Sequence, residues 1–232
     1  MMIRRNAGDR GHADHGWLDT WHTFSFADYH DPREMGFSVL RVINDDRIAP
    51  KAGFGAHPHR DMEIITYVLE GGVAHEDSMG NGSVIRPGDV QRMSAGTGVV
   101  HSEFNAETGR ETRMLQIWIV PREKDVPPSY EQKAFTQEQK RGRLRLVADS
   151  EGRDGAVKVN QDVRLFAALF DGDESAVLEL APGRRAYVHV ARGEVEVNGE
   201  RLSEGDGLKL ENETAVHLRA GRDSEVLVFD LP

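Results

Sequence analysis

His57-Pro58-His59 and His101-Ser102-Glu103 bracket the forty-seven residues whose reading decides the fold. Each end carries two side chains able to ligate a metal, two residues apart. In an extended strand, positions i and i+2 share a face, so each pair is expected to point one way. Pro58 fixes its own φ and biases His57 towards the β or polyproline region. If the pairs lie on neighbouring strands, three imidazoles and one carboxylate converge on one spot inside a barrel. That donor set suits one divalent transition metal ion. Imidazole binds Zn, Cu, Fe or Ni, and a carboxylate adds a hard oxygen and offsets part of the charge. With no cysteine in the chain, thiolate-held zinc and iron–sulfur clusters are excluded. Two such pairs with glycine-rich turns between them are hard to obtain from ordinary surface histidines.

Working outward, Leu69-Glu70-Gly71-Gly72 ends a β-rich run that starts at Ile64, and Val73 begins the next. Arg86-Pro87-Gly88-Asp89 predicts a turn, with Pro at the first central position and Gly tolerating positive φ at the second. Gly96-Thr97-Gly98 is expected to turn the chain just before His101. Further strands are expected from short runs rich in branched and aromatic residues: Phe37 to Ile43, Arg113 to Val120 and Val163 to Phe170. Asn44-Asp45-Asp46, Asp171-Gly172-Asp173 and Asn198-Gly199 read as turns between them. Only residues 129–140 read as a short helix, with Ser129 as its cap. Many short strands with regular turns predict an all-β sandwich or jelly roll.

These residues resemble the cupin family. Gly53, His57, His59, Glu63 and Gly71 match its first motif; Gly88, Gly98, His101 and Asn105 match its second. The spacing departs from the general cupin pattern and, with His101-Ser102-Glu103, fits the pirin-like branch, in particular its bacterial quercetin 2,3-dioxygenases. The run from Arg10 to Ala27 (RGHADHGWLDTWHTFSFA), the segment Phe54 to Glu63 and the segment Ser94 to Glu103 carry the likeness, which spans the chain and is strongest up to Pro121. The resemblance implies a bicupin of two jelly-roll β-barrels, the first metal-binding and the second degenerate. It implies His57, His59, His101 and Glu103 as ligands. In many other cupins the acid after the histidine pair, here Glu63, is a ligand instead; Glu103, sharing a face with His101, is favoured by geometry too.

The expected division is an N-terminal cupin domain over residues 1–121, a connector over 122–142 marked by Pro127 and Pro128, and a C-terminal degenerate cupin over 143–232. Val190-Ala-Arg-Gly193 echoes Val68-Leu-Glu-Gly71, and Ser203-Glu-Gly205-Asp206 echoes Arg86-Pro-Gly88-Asp89. Counting back from Gly193 as His57 precedes Gly71 lands on Glu179, with Ala181 in the place of His59. The second copy therefore lacks the histidine pair, and His189 and His217 are expected to be structural or exposed. His12, His15 and His22, among Trp17, Trp21, Phe24 and Phe26, are expected in a strap packing its aromatics on the first barrel, with a lid over the metal as the other reading. His75 is expected to be exposed.

At 232 residues the chain can bury a real core without disulfides. The net charge of −10 divides evenly, −5 over residues 1–121 and −5 over residues 122–232, so no basic half offers a footprint for nucleic acid. The basic run Lys140, Arg141, Arg143, Arg145 is short and reads as a solvated strand edge. Neither a secretory h-region nor an apolar membrane span is present in the sequence, and a cytoplasmic protein is expected.

Similarity to the pirin-like quercetinases implies a reaction: a flavonol plus O2, ring cleavage and release of CO. Glu103 would take the proton of the flavonol 3-hydroxyl, and the ion could be Fe, Cu, Zn, Ni or Mn. The alternative class is a non-catalytic metal-binding pirin-like regulator with a protein partner. A sugar-phosphate isomerase would need a basic cluster at the metal, and residues 57–103 hold only Arg60, Arg86 and Arg92.

Overall fold

A computed structural model describes all residues, Met1–Pro232. Apart from one four-residue α-helix and two 3-10 turns, the regular structure is β. The chain forms two compact units, each built on its own antiparallel sheet. No helix is long and apolar enough to cross a membrane.

The N-terminal unit comprises Gly11–Ala134 with Val157–Gln161. Its strands run across the sheet in the order Gly11–Asp14, Leu18–His22, Leu40–Ile48, Thr112–Ile119, Gly53–Glu70, Asp89–Asn105, Val73–Asp77 and Gly82–Ile85. Gly53–Glu70 and Asp89–Asn105, 18 and 17 residues long, carry both ligand pairs. Register shifts along them let so long a pair bend round a core. The Arg86–Asp89 turn is closed by the Asp89 N–H donating to the Arg86 carbonyl at 2.8 Å, with Gly88 at φ 99°.

The C-terminal unit comprises Met1–Arg10, Phe135–Ala156 and Asp162–Pro232. Its sheet runs Met2–Arg5, Gly207–Glu211, Arg185–Val197, Ala215–Leu231, Arg164–Phe170, Arg145–Asp149. Asn198-Gly199 turns Arg185–Val197 into Glu200–Ser203, both residues at positive φ as a type I′ hairpin requires.

In the assignment of elements and units, the sequence-based expectations differ from this structure in four places. Ser129–Ala134 is a strand and not the start of a helix; it pairs with Asp89–Ser94. Pro127 and Pro128 deliver the chain extended to an open sheet edge, and that tertiary pairing overrides the helix preference of Glu131, Gln132 and Lys133. The helix is confined to Gln137–Lys140, capped by Thr136 in a reciprocal box with Gln139. The connector is thus divided between the units, and the first ten residues pair with Gly207–Glu211 instead of joining the N-terminal sheet. Asn44-Asp45-Asp46 lies inside Leu40–Ile48, all three side chains buried. Each has a partner there: His22 for Asn44, a two-pronged Arg113 for Asp45 and Thr20 for Asp46. Gly96-Thr97-Gly98 does not reverse the chain either. Its glycines adopt positive φ inside a continuous strand, and a Cβ on Gly96 would stand 1.9 Å from the Val126 carbonyl oxygen.

Candidate metal centre

The antiparallel register sets His57 directly opposite His101, with His59 two residues along on the same face. Register shifts before His57 and after His59 isolate the His-Pro-His segment between two bulges. The three rings meet as neighbours, centroids 4.5 Å apart for His57 and His101 and 4.8 Å for each pair involving His59. One nitrogen from each lies within 4.8 Å of the others.

The nitrogens themselves are informative. His57 Nδ1 is 2.7 Å from the Gly55 carbonyl, which can only accept, so Nδ1 carries a hydrogen and Nε2 is the nitrogen left to face the other rings. That Nε2 stands 3.1 Å from His101 Nε2. Two imidazole nitrogens bound to one ion at ~2.0–2.1 Å each lie roughly 3 Å apart, so the donor set fits a metal. Burial, then the His57 neighbour, pushes His59 down to about 4. Burial, then His59 and His57, pushes His101 down to about 3. Both are neutral near pH 7, the form that ligates.

Glu103 is on the same strand face as His101, 2 % exposed. Thr66 Oγ1 donates to its Oε1 at 3.0 Å and Gln116 Nε2 to its Oε2 at 2.8 Å. Burial nevertheless raises its pKa to about 7. It groups within 4.8 Å with His101 and His75, while His57 and His59 group with His101 alone. Glu63 belongs to neither group. Its carboxylate accepts from Ser94 Oγ at 2.8 Å and from the Asn160 N–H at 3.1 Å. His75 is not exposed: it is 1 % accessible, and the register places it opposite Glu103.

The imidazoles and Glu103 open onto a cavity of about 480 Å³, within the ~300–1,000 Å³ of small-molecule sites. Its walls are largely apolar, with Trp17, Phe26, Phe54, Ile64 and Trp118 among them. The N-terminal aromatic segment therefore does more than strap the barrel. Leu18–His22 pairs with Leu40–Ile48 as part of the sheet, and His15, Trp17, His22 and Phe26 line the cavity. His12 stays outside, stacked on Trp21 with centroids 4.2 Å apart. One lining residue that the sequence did not single out is Asp46. It is 3 % exposed, and burial raises its pKa to about 7. In the C-terminal unit His189 is buried and His217 exposed; neither belongs to a cluster able to hold a metal.

Two β-units, one with three histidines converging on a cavity and one whose barrel interior is filled by apolar side chains, define a bicupin. Residues 3–119 match the Pirin family model and residues 146–231 the quercetinase C-terminal cupin domain. The chain belongs to the pirin family. It is 51% identical over 232 residues to a quercetin 2,3-dioxygenase of Escherichia coli K12, covering 100% of this chain and 99% of that one. It is 42% identical over 231 residues to a pirin-like protein of Caulobacter vibrioides, covering 99% of each. The crystal structure of the bacterial pirin YhhW of Escherichia coli in complex with nickel(II) superposes with a TM-score of 0.95. That protein is 50% identical, with 100% of this chain and 99% of the other covered.

Proposed function

We propose that this chain is a metal-dependent dioxygenase that cleaves a flavonol such as quercetin with O2 and releases CO. His57, His59 and His101 hold one divalent transition ion, with Glu103 as fourth donor and as the base. The observation that carries the proposal is the meeting of three imidazoles and a buried carboxylate at one wall of an aromatic cavity. The name of the Escherichia coli relative and the nickel in the YhhW structure support it. A bound ion would supply a Lewis acid for an anionic substrate oxygen and, if it is Fe, Cu, Ni or Mn rather than redox-inert Zn, a redox partner for dioxygen.

The chain's own residues do the rest. Trp17, Phe26, Phe54 and Trp118 offer flat apolar faces to a planar substrate and exclude water around the reacting ring. Glu103 takes the proton of the flavonol 3-hydroxyl; burial raises its pKa to about 7 in the metal-free protein, and a bound cation would favour the ionised form that acts as the base. Thr66 and Gln116 donate to its two oxygens, which fixes its orientation and favours its ionised form. The C-terminal unit has no cluster of donors able to hold a metal, so the expected stoichiometry is one ion per chain.

Glu103→Gln tests the base. It should retain much of its metal on three imidazoles yet lose quercetin-dependent O2 uptake and CO release by about 10²-fold or more. Undiminished turnover would remove Glu103 from this role. No CO from wild type loaded in turn with Ni, Fe, Cu, Zn and Mn would overturn the dioxygenase. It would favour a non-catalytic metal-binding regulator, for which one surface feature speaks. Val84 and Phe104, 41% and 42% exposed, flank Ala74 on neighbouring strands and form a small outward apolar row.

A further inference from the structure

The C-terminal unit, which plays no part in the chemistry above, holds a cavity of about 380 Å³. Its floor is apolar. Phe166 belongs to the apolar cluster of this unit, Leu144 and Leu146 pack against that cluster, and all three line the cavity. The walls carry Arg143, Arg145, Arg153 and Arg164 against one acid, Asp154. In a chain of net charge −10, four guanidinium groups round one hollow reverse the local sign. The register accounts for their convergence. Leu146 pairs with Phe166, and Asp149 with Arg164, on adjacent strands. The 3-10 turn Arg153–Gly155 follows the first of these strands and adds Arg153 to the same hollow.

The basic run that the sequence presents as a strand edge is thereby split in two. Lys140 is buried on Glu225 at 3.0 Å, and Arg141 is paired with Glu174 at 3.6 Å. Arg143 and Arg145 hydrogen-bond only to carbonyl oxygens, Arg143 Nε to Arg141 at 3.5 Å and Arg145 Nη2 to Asp154. Asp154 is exposed and gives Arg145 its carbonyl, not its carboxylate. The other two are anchored by buried acids. Arg153 Nε donates to Asp149 Oδ2 at 2.6 Å and Arg164 Nε to Asp230 Oδ2 at 2.7 Å, both acids being 0% exposed. Arg145 and Arg164 also lie over the rings of Phe135 and Phe166, with Cζ 5.2 and 5.6 Å from the centroids. Three of the four guanidinium groups are therefore fixed at one end and keep N–H groups to spare, since each carries five. Planar forks held in place with spare donors recognise a carboxylate or phosphate in two-pronged fashion and lose little freedom in doing so. A hollow lined by one sign of charge also focuses its field on an incoming anion.

We propose that this hollow binds a small organic oxyanion, with a carboxylate or phosphate head on the arginines and a ring-sized apolar body on Leu144, Leu146 and Phe166. The volume lies within the range of small-molecule sites, and a concave site suits a small molecule better than an extended polymer. The proposal stands apart from the metal assignment and from the flavonol reaction, because every residue it uses belongs to the C-terminal unit.

The test is titration of the full chain with phenyl phosphate, benzoate and inorganic phosphate, with phenol as the uncharged control, read by NMR at the methyl groups of Leu144 and Leu146. Phenyl phosphate, benzoate or both should saturate one site per chain and shift these two leucines, and phenol should not. The tighter of the two anions identifies the head group. Affinity should fall about tenfold or more in Arg145→Gln, the scale of one charge-assisted hydrogen bond. Arg143→Gln, at an exposed position, should weaken binding in the same direction without touching the Phe135 contact. Arg201→Gln, which removes an exposed charge outside the hollow, should leave it unchanged. No saturable binding of either ring-bearing anion would overturn the site. So would an affinity unmoved by both changes in the hollow, or lowered equally by Arg201→Gln. Inorganic phosphate bound as tightly as phenyl phosphate would overturn the apolar half of the assignment.

Discussion

In the N-terminal unit, Gly53–Glu70 lies against Asp89–Asn105, and the facing positions on these strands include His57, His59, His101 and Glu103. In the C-terminal unit, Arg185–Val197 lies against Ala215–Leu231, and the inward positions are Ala186, Val188, Val190, Val226 and Val228. Those residues belong to one continuous apolar cluster of seventeen buried residues. Around the cavity of the first unit the apolar packing is broken into separate groups. One holds Leu18, Ile48, Val68 and Met114, another Ile64, Met93, Ala95 and Val99. A pair of long paired strands serves both units. A handful of inward side chains decides whether the barrel closes on a core or keeps a cavity with donors at its wall.

The contrast is tested most severely by metal content. His59→Ala or His101→Ala should strip the ion while leaving the metal-free protein folded, since apolar clusters on both sides of the cavity remain and the unit does not depend on metal as a zinc finger does. Plasma emission analysis of purified protein should fall from one ion per chain to near none. His217→Ala should leave it at one. Two ions per chain, with the second lost on changing His217 or His189, would erase the difference between the units.

The two candidate pairs are the part of the site most legible in the sequence. Two residues of separation fix a shared strand face whatever the neighbouring strands do, so His57 could be joined to His59, and His101 to Glu103, before any register was known; that the histidines of the two pairs meet follows only from the register. His75, Thr66 and Gln116 reach Glu103 or His101 only because particular strands pair in a particular register, and nothing local encodes that. Asn44-Asp45-Asp46 misled for a related reason. Three polar residues in a row look like a turn unless Thr20, His22 and Arg113 are known to wait on the adjacent strands. The glycines behaved similarly: Gly88 makes the turn its Pro-Gly context predicts, whereas Gly96 serves a close approach of residue 126.

Buried carboxylates separate the two units again, with a smaller effect. Asp230 in the C-terminal unit is 0% exposed and clamped by Arg164 and Arg184, each Nε 2.7 Å from one of its oxygens. Removing its charge leaves Arg164, which is partly exposed, without its carboxylate, while Arg184 keeps Asp162, so the cost lies towards the lower end of the ~3–5 kcal/mol for breaking a buried pair. Asp230→Asn should therefore lower stability in urea by that order. An unchanged midpoint would mean that this carboxylate, too, is dispensable for folding.

Asp46 should behave in the opposite sense. It is as buried as a structural acid, yet no cation pairs with it. Its hydrogen-bond partner is the Thr20 hydroxyl, and it faces the cavity. Burial, opposed by the Thr20 bond and reinforced by Asp45 and Glu103, raises its pKa from 3.8 to about 7. The folded protein therefore holds this proton where the unfolded chain has released it. An acid raised in the folded state contributes stability that is present below pH 4 and is lost as pH climbs through 7. Between pH 5 and 8 about two pKa units of that window are crossed, worth roughly 2–3 kcal/mol at 1.36 kcal/mol per unit. Asp46→Asn keeps the acceptor for Thr20 and cannot ionise, and its amide can be solvated in the cavity. In metal-free protein it should match wild type near pH 4 and exceed it progressively up to pH 8. Urea unfolding at four pH values would show the two stabilities diverging. Parallel curves would mean that Asp46 ionises as freely in the folded protein as in the unfolded chain, and the cavity wall would then be as well solvated as the surface.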